Sequence, residues 1–218
     1  MIEAFVTAAD ADLPGFESPA ETRQRLREMF PLGATRRMTQ LGLLIGGVLH
    51  RLRPGEDDAL VYASTYAENR TLEEYLASFP NPSPTLFQTS IHPSAIQQAL
   101  IARRQPVHEI FPLTGASSLL ARAARAALLA AGRRAILCGG EERGSSLREH
   151  GLASEETFAF AVALERHGGK DFIGRLSLEE DGSVDGALSL SDFAEAIAGR
   201  KPLRRAAAPG CTLVLQWR

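Results

Sequence analysis

The sequence predicts an α/β fold built on one mixed, mostly parallel sheet with helices on both of its faces. Short apolar segments alternate with longer helical patterns through the first 140 residues, which is typical of parallel strands joined by helices. Later apolar segments follow one another more closely, and these strands are expected to pair antiparallel. Neither a linker nor a repeat divides the sequence, so one domain spanning residues 1–218 is predicted.

The first strand is predicted at residues 1–8, where apolar residues alternate with others and give way to small ones. A helix over residues 19–30 follows, with Ser18 as its N-cap and Pro19 at its first position. A second helix is predicted over residues 35–52, because large apolar residues recur there at helical spacing. The glycines within it suggest that another backbone packs closely against this helix.

A buried strand is predicted at residues 58–65, an apolar run between acidic and polar residues. Thr71 and Glu74 have the spacing of a capping box and predict a helix that ends at Phe79. The prolines that come next predict a non-helical crossing. Another helix is predicted over residues 94–103, with its first residue, a serine, as the cap.

The middle of the chain carries the clearest pattern. A strand at residues 107–113 leads through a tight turn into a helix of almost only alanine and leucine over residues 117–131, which Gly132 closes as a C-cap. A buried strand at residues 135–138 then ends in two glycines. In the rest of the chain, three strands are predicted at residues 158–165, 172–178 and 211–217. A short helix is predicted at residues 191–198 and a loop at residues 199–210.

Charge and composition exclude several classes of function. The formal net charge is −2, which provides no electrostatic surface for nucleic acid or an anionic membrane. Two cysteines are too few for a disulfide scaffold or a zinc site. The N-terminus has no signal-peptide pattern, and no apolar run approaches the roughly 20 residues that span a bilayer. The expectation is a cytoplasmic protein without a membrane span.

The turn before the Ala-rich helix is the place where chemistry is expected. Such a turn puts a side chain at a helix N-terminus, where the dipole and free N–H groups stabilise an anion or a thiolate. Ser117 and Ser118 occupy this turn, and either could be a nucleophile. However, the nucleophile elbow G-x-S-x-G requires glycine where Leu119 stands. Helix capping is the alternative role for a serine at this place.

Other candidate residues carry weaker signals. His92 precedes a helix, and it is either a pocket histidine near the turn or a residue that fixes its own loop. Glu141 and Glu142 follow a strand end, where ligands often bind in open α/β sheets, although solvated carboxylates are the simpler interpretation. Cys138 is interpreted as structural. No histidine spacing predicts a metal site and no glycine-rich loop predicts a nucleotide site, so no cofactor is expected.

Residues 107–142, VHEIFPLTGASSLLARAARAALLAAGRRAILCGGEE, resemble the nucleophile region of β-ketoacyl synthases. In that family a strand ends in Thr-Ala-Cys-Ser-Ser-Ser-Leu, an Ala-rich helix follows, and the next strand closes in Gly-Gly. Three further segments resemble the family in the same order, namely RRMTQLGLLIGGVLHRL, DALVYASTYAENRTLEEYLASF and SPTLFQTSIHPSAIQQAL. The resemblance can be followed over residues 1–180 and implies a thiolase-like half, the N-terminal domain of such an enzyme.

The resemblance also implies that the nucleophile is missing. With Thr114, the two serines and Leu119 as anchors, the family's cysteine falls on Gly115 or, as the second choice, on Ala116. Neither residue can act as a nucleophile. The family's two catalytic histidines belong to a C-terminal half that is expected to be absent from this chain. The expected function is therefore that of a non-catalytic subunit similar to a chain length factor, in fatty acid or polyketide biosynthesis, including that of aryl polyenes.

A solitary half is expected to expose the Leu/Ala faces of its central helices, and such a patch favours a partner. The expected partner is a ketosynthase subunit or an acyl carrier protein, in a homo- or heterodimer. The interface is expected on the strand at residues 107–114 and the helix after it, at Thr114, Ser117, Leu120, Arg122 and Arg125. Candidates for a basic surface that would receive an acidic carrier protein are Arg122, Arg125, Arg133 and Arg134.

Two alternatives remain open at this point. One is a serine-dependent acyl-thioester hydrolase or acyltransferase of the same pathway, which would use Ser117 or Ser118. The other is a stand-alone acyl-binding module, which a closed monomer with its own apolar pocket would favour.

Overall fold

The computed structural model describes residues 1–130, 134–168, 171–180 and 188–218. Its centre is one eight-stranded sheet. The strands are β1 (Ile2–Asp12), β2 (Ala59–Ser64), β3 (Glu109–Thr114), β4 (Ala135–Glu141), β5 (Phe158–Glu165), β6 (Gly174–Glu180), β7 (Leu203–Ala208) and β8 (Cys211–Trp217). The α-helices are α1 (Pro19–Leu26), α2 (Gln40–Leu52), α3 (Asn69–Ala77), α4 (Pro84–Thr89), α5 (Ser94–Arg103), α6 (Leu119–Leu129) and α7 (Leu190–Ala198).

The strands lie in the order β3-β2-β4-β5-β1-β6-β8-β7. β2 pairs in parallel with β3 and with β4, whereas the other described pairings are antiparallel. The mixed sheet and the antiparallel pairing of the later strands are confirmed. The expectation of mostly parallel pairing is wrong, because five of the seven described strand pairings are antiparallel, including those of β1 with β5 and β6.

Helices cover both faces of the sheet, as predicted. On one face, Leu44 and Ile45 of α2 pack in a cluster with Leu60 of β2. On the other face, Leu120 of α6 and Phe193 of α7 belong to a second cluster with the neighbouring strand residues. The alternation of side chains along each strand separates these two cores.

The glycines of α2 allow close packing, as the sequence suggests. A Cβ atom at Gly46 would lie 2.5 Å from the Phe30 ring and 3.3 Å from Ala99 of α5. A Cβ atom at Gly42 would lie 2.8 Å from the side chain of Gln98. Any larger residue would therefore push α5 or Phe30 away from the sheet.

The helix predicted over residues 19–30 begins as expected. Ser18 and Glu21 form a capping box, in which the Glu21 N–H donates to the serine hydroxyl at 3.3 Å and the Ser18 N–H donates to the carboxylate at 2.8 Å. The helix is shorter than predicted and ends in a 3₁₀ turn at Arg27–Met29. The helix predicted over residues 35–52 is two elements in the structure, because a 3₁₀ turn at Ala34–Arg37 precedes α2.

The capping box predicted at Thr71 is wrong. Helix α3 begins two residues earlier, at Asn69, so Thr71 lies inside its first turn and is buried. The residue before the helix, Glu68, makes no side-chain capping bond to it. The Glu68 carboxylate instead accepts a hydrogen bond from the Ala95 N–H of α5.

Two further local predictions are corrected. The proline-rich crossing contains the short helix α4, because Ser83 caps it through the Leu86 N–H and Pro84 occupies its first position. Ser94 belongs to α5 and does not cap it, since its hydroxyl donates to the Thr89 carbonyl at 2.6 Å.

The loop predicted over residues 199–210 contains strand β7. It pairs antiparallel with β8, and Arg204 contacts Glu179 at 2.7 Å across the sheet surface. Exposed arginines along an edge strand conceal the apolar alternation that identifies strands in a sequence. The predicted C-cap Gly132 lies outside the described residues, and α6 ends at Leu129.

The Leu/Ala face of α6 is buried, which contradicts the expectation that a solitary half exposes it. Leu119 and Leu120 are 3% and 1% exposed, and Ala123 and Ala124 are fully buried. Helix α6 contacts strands at both edges of the sheet, β3 and β7. In a flat sheet of eight strands these edges would lie about 34 Å apart, whereas an 11-residue helix is about 17 Å long.

The sheet therefore wraps around α6, and strands β6 and β7 contact the face that was expected to be open. Among the described residues, no helix combines the length and apolar character that crossing a membrane would require.

Candidate functional site

A cavity of about 440 Å³ lies where strands β2 and β4 end and helix α6 begins. Ligands in open α/β sheets bind at this carboxyl edge. Its lining comes from the loop after β2, the turn before α6, the last residue of β4, the loop between β4 and β5, and the start of α7. These residues include Thr65, Tyr66, Ala116, Leu119, Leu120, Glu141, Arg148, Ser154, Glu155, Glu156, Phe158, Leu188 and Ser189. We call it the main cavity.

The turn from β3 into α6 borders the main cavity and has a strained backbone. The strain is at Ser118, whose φ is 56°, because a left-handed conformation costs a non-glycine residue roughly 1–2 kcal/mol. Gly115 has a φ of 117°, which glycine adopts without this cost. Ala116, between them, lines the cavity. Backbone strain of this kind is concentrated at functional sites.

Capping by the serines of this turn is not found. Ser118 has the N-cap position of α6, but its side chain makes no capping hydrogen bond. Ser117 is exposed, and its described bond is a backbone one, from the Arg122 guanidinium to its carbonyl at 3.4 Å. Within the described chain, neither hydroxyl is hydrogen-bonded to a histidine or a carboxylate, the partner that activates a serine nucleophile.

His92 does not reach the turn. Its ring stacks on Tyr62 with centroids 5.2 Å apart, and its Nδ1 lies 3.2 Å from the Glu68 carboxylate. Tyr62 belongs to the apolar cluster on the α2 side of the sheet, whereas Leu119 and Leu120 belong to the cluster on the other side. His92 and the turn with Ser117 and Ser118 therefore lie on opposite sides of the sheet and do not form one site.

Glu141 is a functional candidate whose burial the sequence does not reveal. It is 3% exposed, and its carboxylate accepts hydrogen bonds from the Ser64 hydroxyl at 3.1 Å and from the N–H groups of Thr65 and Tyr66. Burial raises the pKa of Glu141 to about 7, although these donors favour the ionised form. The expectation of a solvated carboxylate is wrong, because β4 continues through the two glycines to this residue.

Glu142 points to the other side of the sheet edge. Its carboxylate accepts a hydrogen bond of 3.3 Å from the Leu41 N–H in the first turn of α2. Burial raises the pKa of Glu142 to about 7 as well. Adjacent carboxylates with pKa values near neutrality thus lie on opposite faces of one strand end, and only Glu141 lines the main cavity.

Residues 143–157 form a loop that covers the main cavity and is fastened to α3. The Glu73 carboxylate accepts hydrogen bonds from the Leu147 N–H at 2.7 Å and from the N–H and hydroxyl of Ser145. Burial opposes ionisation of Glu73, but these hydrogen bonds outweigh it and lower its pKa. The loop contributes Arg148, Glu155 and other lining residues to the cavity.

The described lining of the main cavity consists of small, apolar, hydroxyl-bearing and charged residues. Among its described lining residues there is no cysteine and no histidine. Both cysteines are buried, and burial raises the pKa of Cys138 to about 12, so its thiol is unreactive. No group of His, Cys, Asp or Glu side chains in the described part of the chain could hold a metal ion.

The expected interface residues have different environments. Thr114 and Ser117 are exposed, and Arg122 donates to the carbonyls of both at 3.4 Å. Arg125 is exposed on α6. Leu120 is 1% exposed and lies in the core, which removes it from any surface of the folded chain.

The four arginines proposed for a carrier protein do not all form one patch. Arg134 is half-buried and binds the Leu52 carbonyl at 2.5 Å, with Asp58 at 3.8 Å, on the α2 side of the molecule. Arg133 lies outside the described residues. Arg122 and Arg125 therefore remain as the exposed pair on α6.

No protein-family model matches the sequence, and no curated protein is similar enough in sequence to match it. A solved structure described as a ketosynthase, ApeO, in complex with its chain length factor, ApeC, from Xenorhabdus doucetiae contains a chain that is similar in fold. The TM-score is 0.70 and the identity 20%, over 99% of this chain and 100% of that chain.

Two more distant structures are a ketosynthase from module 6 of the bacillaene synthase of Bacillus subtilis and the tetronic acid condensing enzyme AbyA1. The first has a TM-score of 0.46 and 12% identity, over 86% of this chain and 43% of that chain. The second has a TM-score of 0.45 and 15% identity, over 82% of this chain and 60% of that chain.

The first match covers both chains almost completely and establishes the fold, to which the two weaker matches add nothing. The matched fold of this chain consists of a sheet of parallel and antiparallel strands with helices on both faces. The chain therefore has a thiolase-like α/β fold, similar to that of one chain in the complex of a ketosynthase with its chain length factor.

Proposed function

We propose that this chain is a non-catalytic, ketosynthase-like subunit that docks on a ketosynthase, as a chain length factor does. The proposal rests on one observation. The turn into α6 borders a cavity at the carboxyl edge of the sheet, and the described lining of this cavity contains no cysteine and no histidine. The sequence resemblance assigns the family's cysteine to Gly115 or Ala116 in this turn, and neither residue can act as the nucleophile that condensation requires.

The class of pathway follows from the structural neighbour. That structure pairs a ketosynthase with its chain length factor, and one of its chains is matched over its whole length. We infer the assembly of an acyl chain, for fatty acids or for polyketides such as aryl polyenes. An acyl carrier protein is the second partner in this proposal, with Arg122 and Arg125 on its docking surface.

The open edge of β3 supports docking to a partner. β3 is the first strand of the sheet, so no described strand pairs with its outer side. The His108 N–H donates to the Asp58 carbonyl at 3.0 Å, toward β2. Because backbone groups alternate along a strand, Glu109, Phe111 and Leu113 direct theirs away from the sheet.

Pro112 fits this arrangement. It lies opposite Tyr62 of β2, and its backbone nitrogen faces β2, as the N–H of His108 does. Because proline has no N–H, the missing donor is on the β2 side, and the N–H groups on the outer side of β3 are all present. Phe111 is 39% exposed beside this edge. An unprotected edge with an exposed aromatic residue is a template for pairing with another chain.

The experiment is a pulldown of the tagged chain from its native cell, with mass spectrometry, and light scattering of the purified complex. Wild-type chain is compared with Phe111→Pro, which removes an outward N–H, and with Phe111→Ala, which removes only the ring. We expect a ketosynthase to co-purify with the wild type and with Phe111→Ala, and to be lost with Phe111→Pro.

Thermal unfolding establishes that each variant is folded. Equal recovery of the ketosynthase by both variants would contradict docking through the β3 edge. A wild-type chain that stays monomeric and recovers no ketosynthase and no carrier protein would overturn the proposed function and favour a stand-alone binding module.

A further inference from the structure

A second groove of about 260 Å³ opens beside the main cavity. It lies between the loop after β1, the start of β5 and one side of α7. The two spaces share Glu155, Glu156, Phe158 and Ser191 in their linings and are therefore adjacent. We call it the acidic groove, because Glu155, Glu156 and Glu195 line it.

The acidic groove exposes apolar side chains without a cover. Phe16 is 87% exposed and Leu13 is 42% exposed, whereas Phe158 is buried and forms the floor. The guanidinium of Arg143 lies 4.8 Å from the centre of the Phe16 ring and occupies one face of it. An exposed aromatic ring beside a concave apolar floor is typical of a site that receives an apolar side chain.

The charged side chains that line the groove are carboxylates, and the guanidinium of Arg143 lies beside the groove, on the Phe16 ring. The lining contains the carboxylates of Glu155, Glu156 and Glu195 and no basic side chain. Glu155 is 3.5 Å from Arg148, a residue of the main cavity. Within the described chain, Glu156 and Glu195 have no ion pair. Their potential attracts cations and repels an anionic group.

We propose that the acidic groove binds a short basic segment of a partner protein. One bulky apolar side chain of the segment packs between Phe16 and Phe158, and flanking lysine or arginine residues lie against Glu156 and Glu195. A small organic cation would meet the charges but would leave the protruding ring of Phe16 in water. An acidic carrier protein is repelled here, so this surface is distinct from the carrier surface on α6 and from the β3 edge, and it does not depend on either.

The test is selection from a random peptide library displayed on phage, with the full chain immobilised, followed by fluorescence anisotropy of the enriched peptides. Wild type is compared with the double variant Glu156→Gln/Glu195→Gln and with Phe16→Ala. The matched controls are Glu28→Gln/Glu56→Gln, which removes two exposed carboxylates elsewhere, and Leu32→Ala, which removes a side chain that is 102% exposed.

We expect enriched peptides to combine lysine or arginine with a large apolar residue. Affinity should fall at least about fivefold in the double glutamine variant and in Phe16→Ala, and stay unchanged in both controls. Raising the salt from about 50 mM to about 500 mM should weaken the wild-type interaction, because exposed charges are screened.

Three results would overturn the proposal. The first is enrichment of acidic or neutral peptides, or no enrichment. The second is equal affinity of the groove variants and their controls. The third is that argininamide displaces the peptide and binds with an affinity equal to that of the peptide, which would make the groove a site for small cations. Because no ketosynthase or carrier protein is used, these outcomes leave the proposed function untouched.

Discussion

The hydroxyl of Ser64 donates a hydrogen bond of 3.1 Å to the carboxylate of Glu141, and this bond joins the ends of β2 and β4 at the wall of the main cavity. The same carboxylate accepts the N–H groups of Thr65 and Tyr66. A single buried acid thus holds the loop that lines the cavity opposite Ala116. The protonation state of Glu141 is consequently linked to folding and to the shape of the cavity.

The first prediction concerns the pH dependence of stability. Burial raises the pKa of Glu141 from its ordinary 4.5 to about 7, so the folded chain binds a proton that the unfolded chain releases between these values. The free energy of unfolding therefore falls as the pH rises from 4.5 through 7, by up to about 3 kcal/mol. Glu141→Gln removes this contribution.

Thermal unfolding of wild type and Glu141→Gln from about pH 5 to pH 8 measures the effect. The difference in Tm should shift by roughly 6–12 °C in favour of the variant as the pH rises. Glu142, whose pKa burial raises to about 7, is present in both proteins, so the difference isolates Glu141. Parallel curves would mean that the three donors keep this carboxylate ionised across the whole range.

The second prediction concerns the loop over the main cavity. Glu73 holds it through Ser145 and Leu147, and each hydrogen bond to a charged acceptor contributes roughly 1.5–3 kcal/mol. In Glu73→Ala, trypsin should cleave after Arg148 at least about tenfold faster. The matched control is Glu74→Ala, whose carboxylate is exposed and pairs only with Arg70 at 3.2 Å among the described residues.

Limited proteolysis at low trypsin concentration, read by mass spectrometry, gives both rates. Equal cleavage of the two variants would show that the loop is held by contacts other than the Glu73 carboxylate. A matching rise in cleavage at distant arginines would indicate global unfolding, which a Tm measurement detects separately.

Local signals in the sequence are sufficient where neighbours along the chain determine the structure. Strands β5 and β8 and helix α5 begin and end where the sequence predicts, at Phe158–Glu165, Cys211–Trp217 and Ser94–Arg103. Continuous apolar runs and clear breaks define these segments. The strained turn before α6 was also located correctly, because glycine and serines follow a strand and precede an Ala-rich helix.

Long-range pairing determines what the sequence could not show. The position of β1 between β5 and β6, and the wrapping of the sheet around α6, depend on contacts between distant segments. Both features bury the helix face that was expected to be open. The burial of Glu141 has the same origin, since β5 pairs with β4 as far as this residue.

The third prediction concerns Ser118. Its φ of 56° is unfavourable for any residue with a Cβ atom, and its hydroxyl makes no capping bond. Ser118→Gly should therefore raise the free energy of unfolding by about 0.5–1 kcal/mol. Ser118→Ala, which keeps the Cβ atom, is the control and should leave stability nearly unchanged.

Chemical denaturation of the three proteins measures this difference. The same variants, with Ser117→Ala, examine the hydrolase alternative. With no described histidine or carboxylate bonded to either serine, none of the substitutions should lower the hydrolysis of an acyl-thioester. A loss of turnover in Ser117→Ala alone would instead assign the nucleophile to Ser117.

The fourth prediction tests which residue of the turn, Gly115 or Ala116, corresponds to the cysteine of the resembled family. Ala116 lines the main cavity, whereas Gly115 has a φ of 117° that side chains rarely adopt. Ala116→Cys should therefore give a thiol that reacts with iodoacetamide in the folded protein, and Gly115→Cys should give a less stable chain. Wild type should remain unmodified, because Cys138 and Cys211 are buried.

Mass spectrometry of the intact chains after a timed exposure to iodoacetamide gives the modified fraction, and Tm values give the stability. A reactive Ala116→Cys thiol should still support no condensation with a malonyl thioester, since the described lining of the cavity contains no histidine. If this variant alone catalyses condensation, other groups of the cavity replace the histidines, and Glu141 is the first residue to substitute. An unreactive thiol at residue 116 together with a stable, reactive one at residue 115 would place the family's cysteine on Gly115.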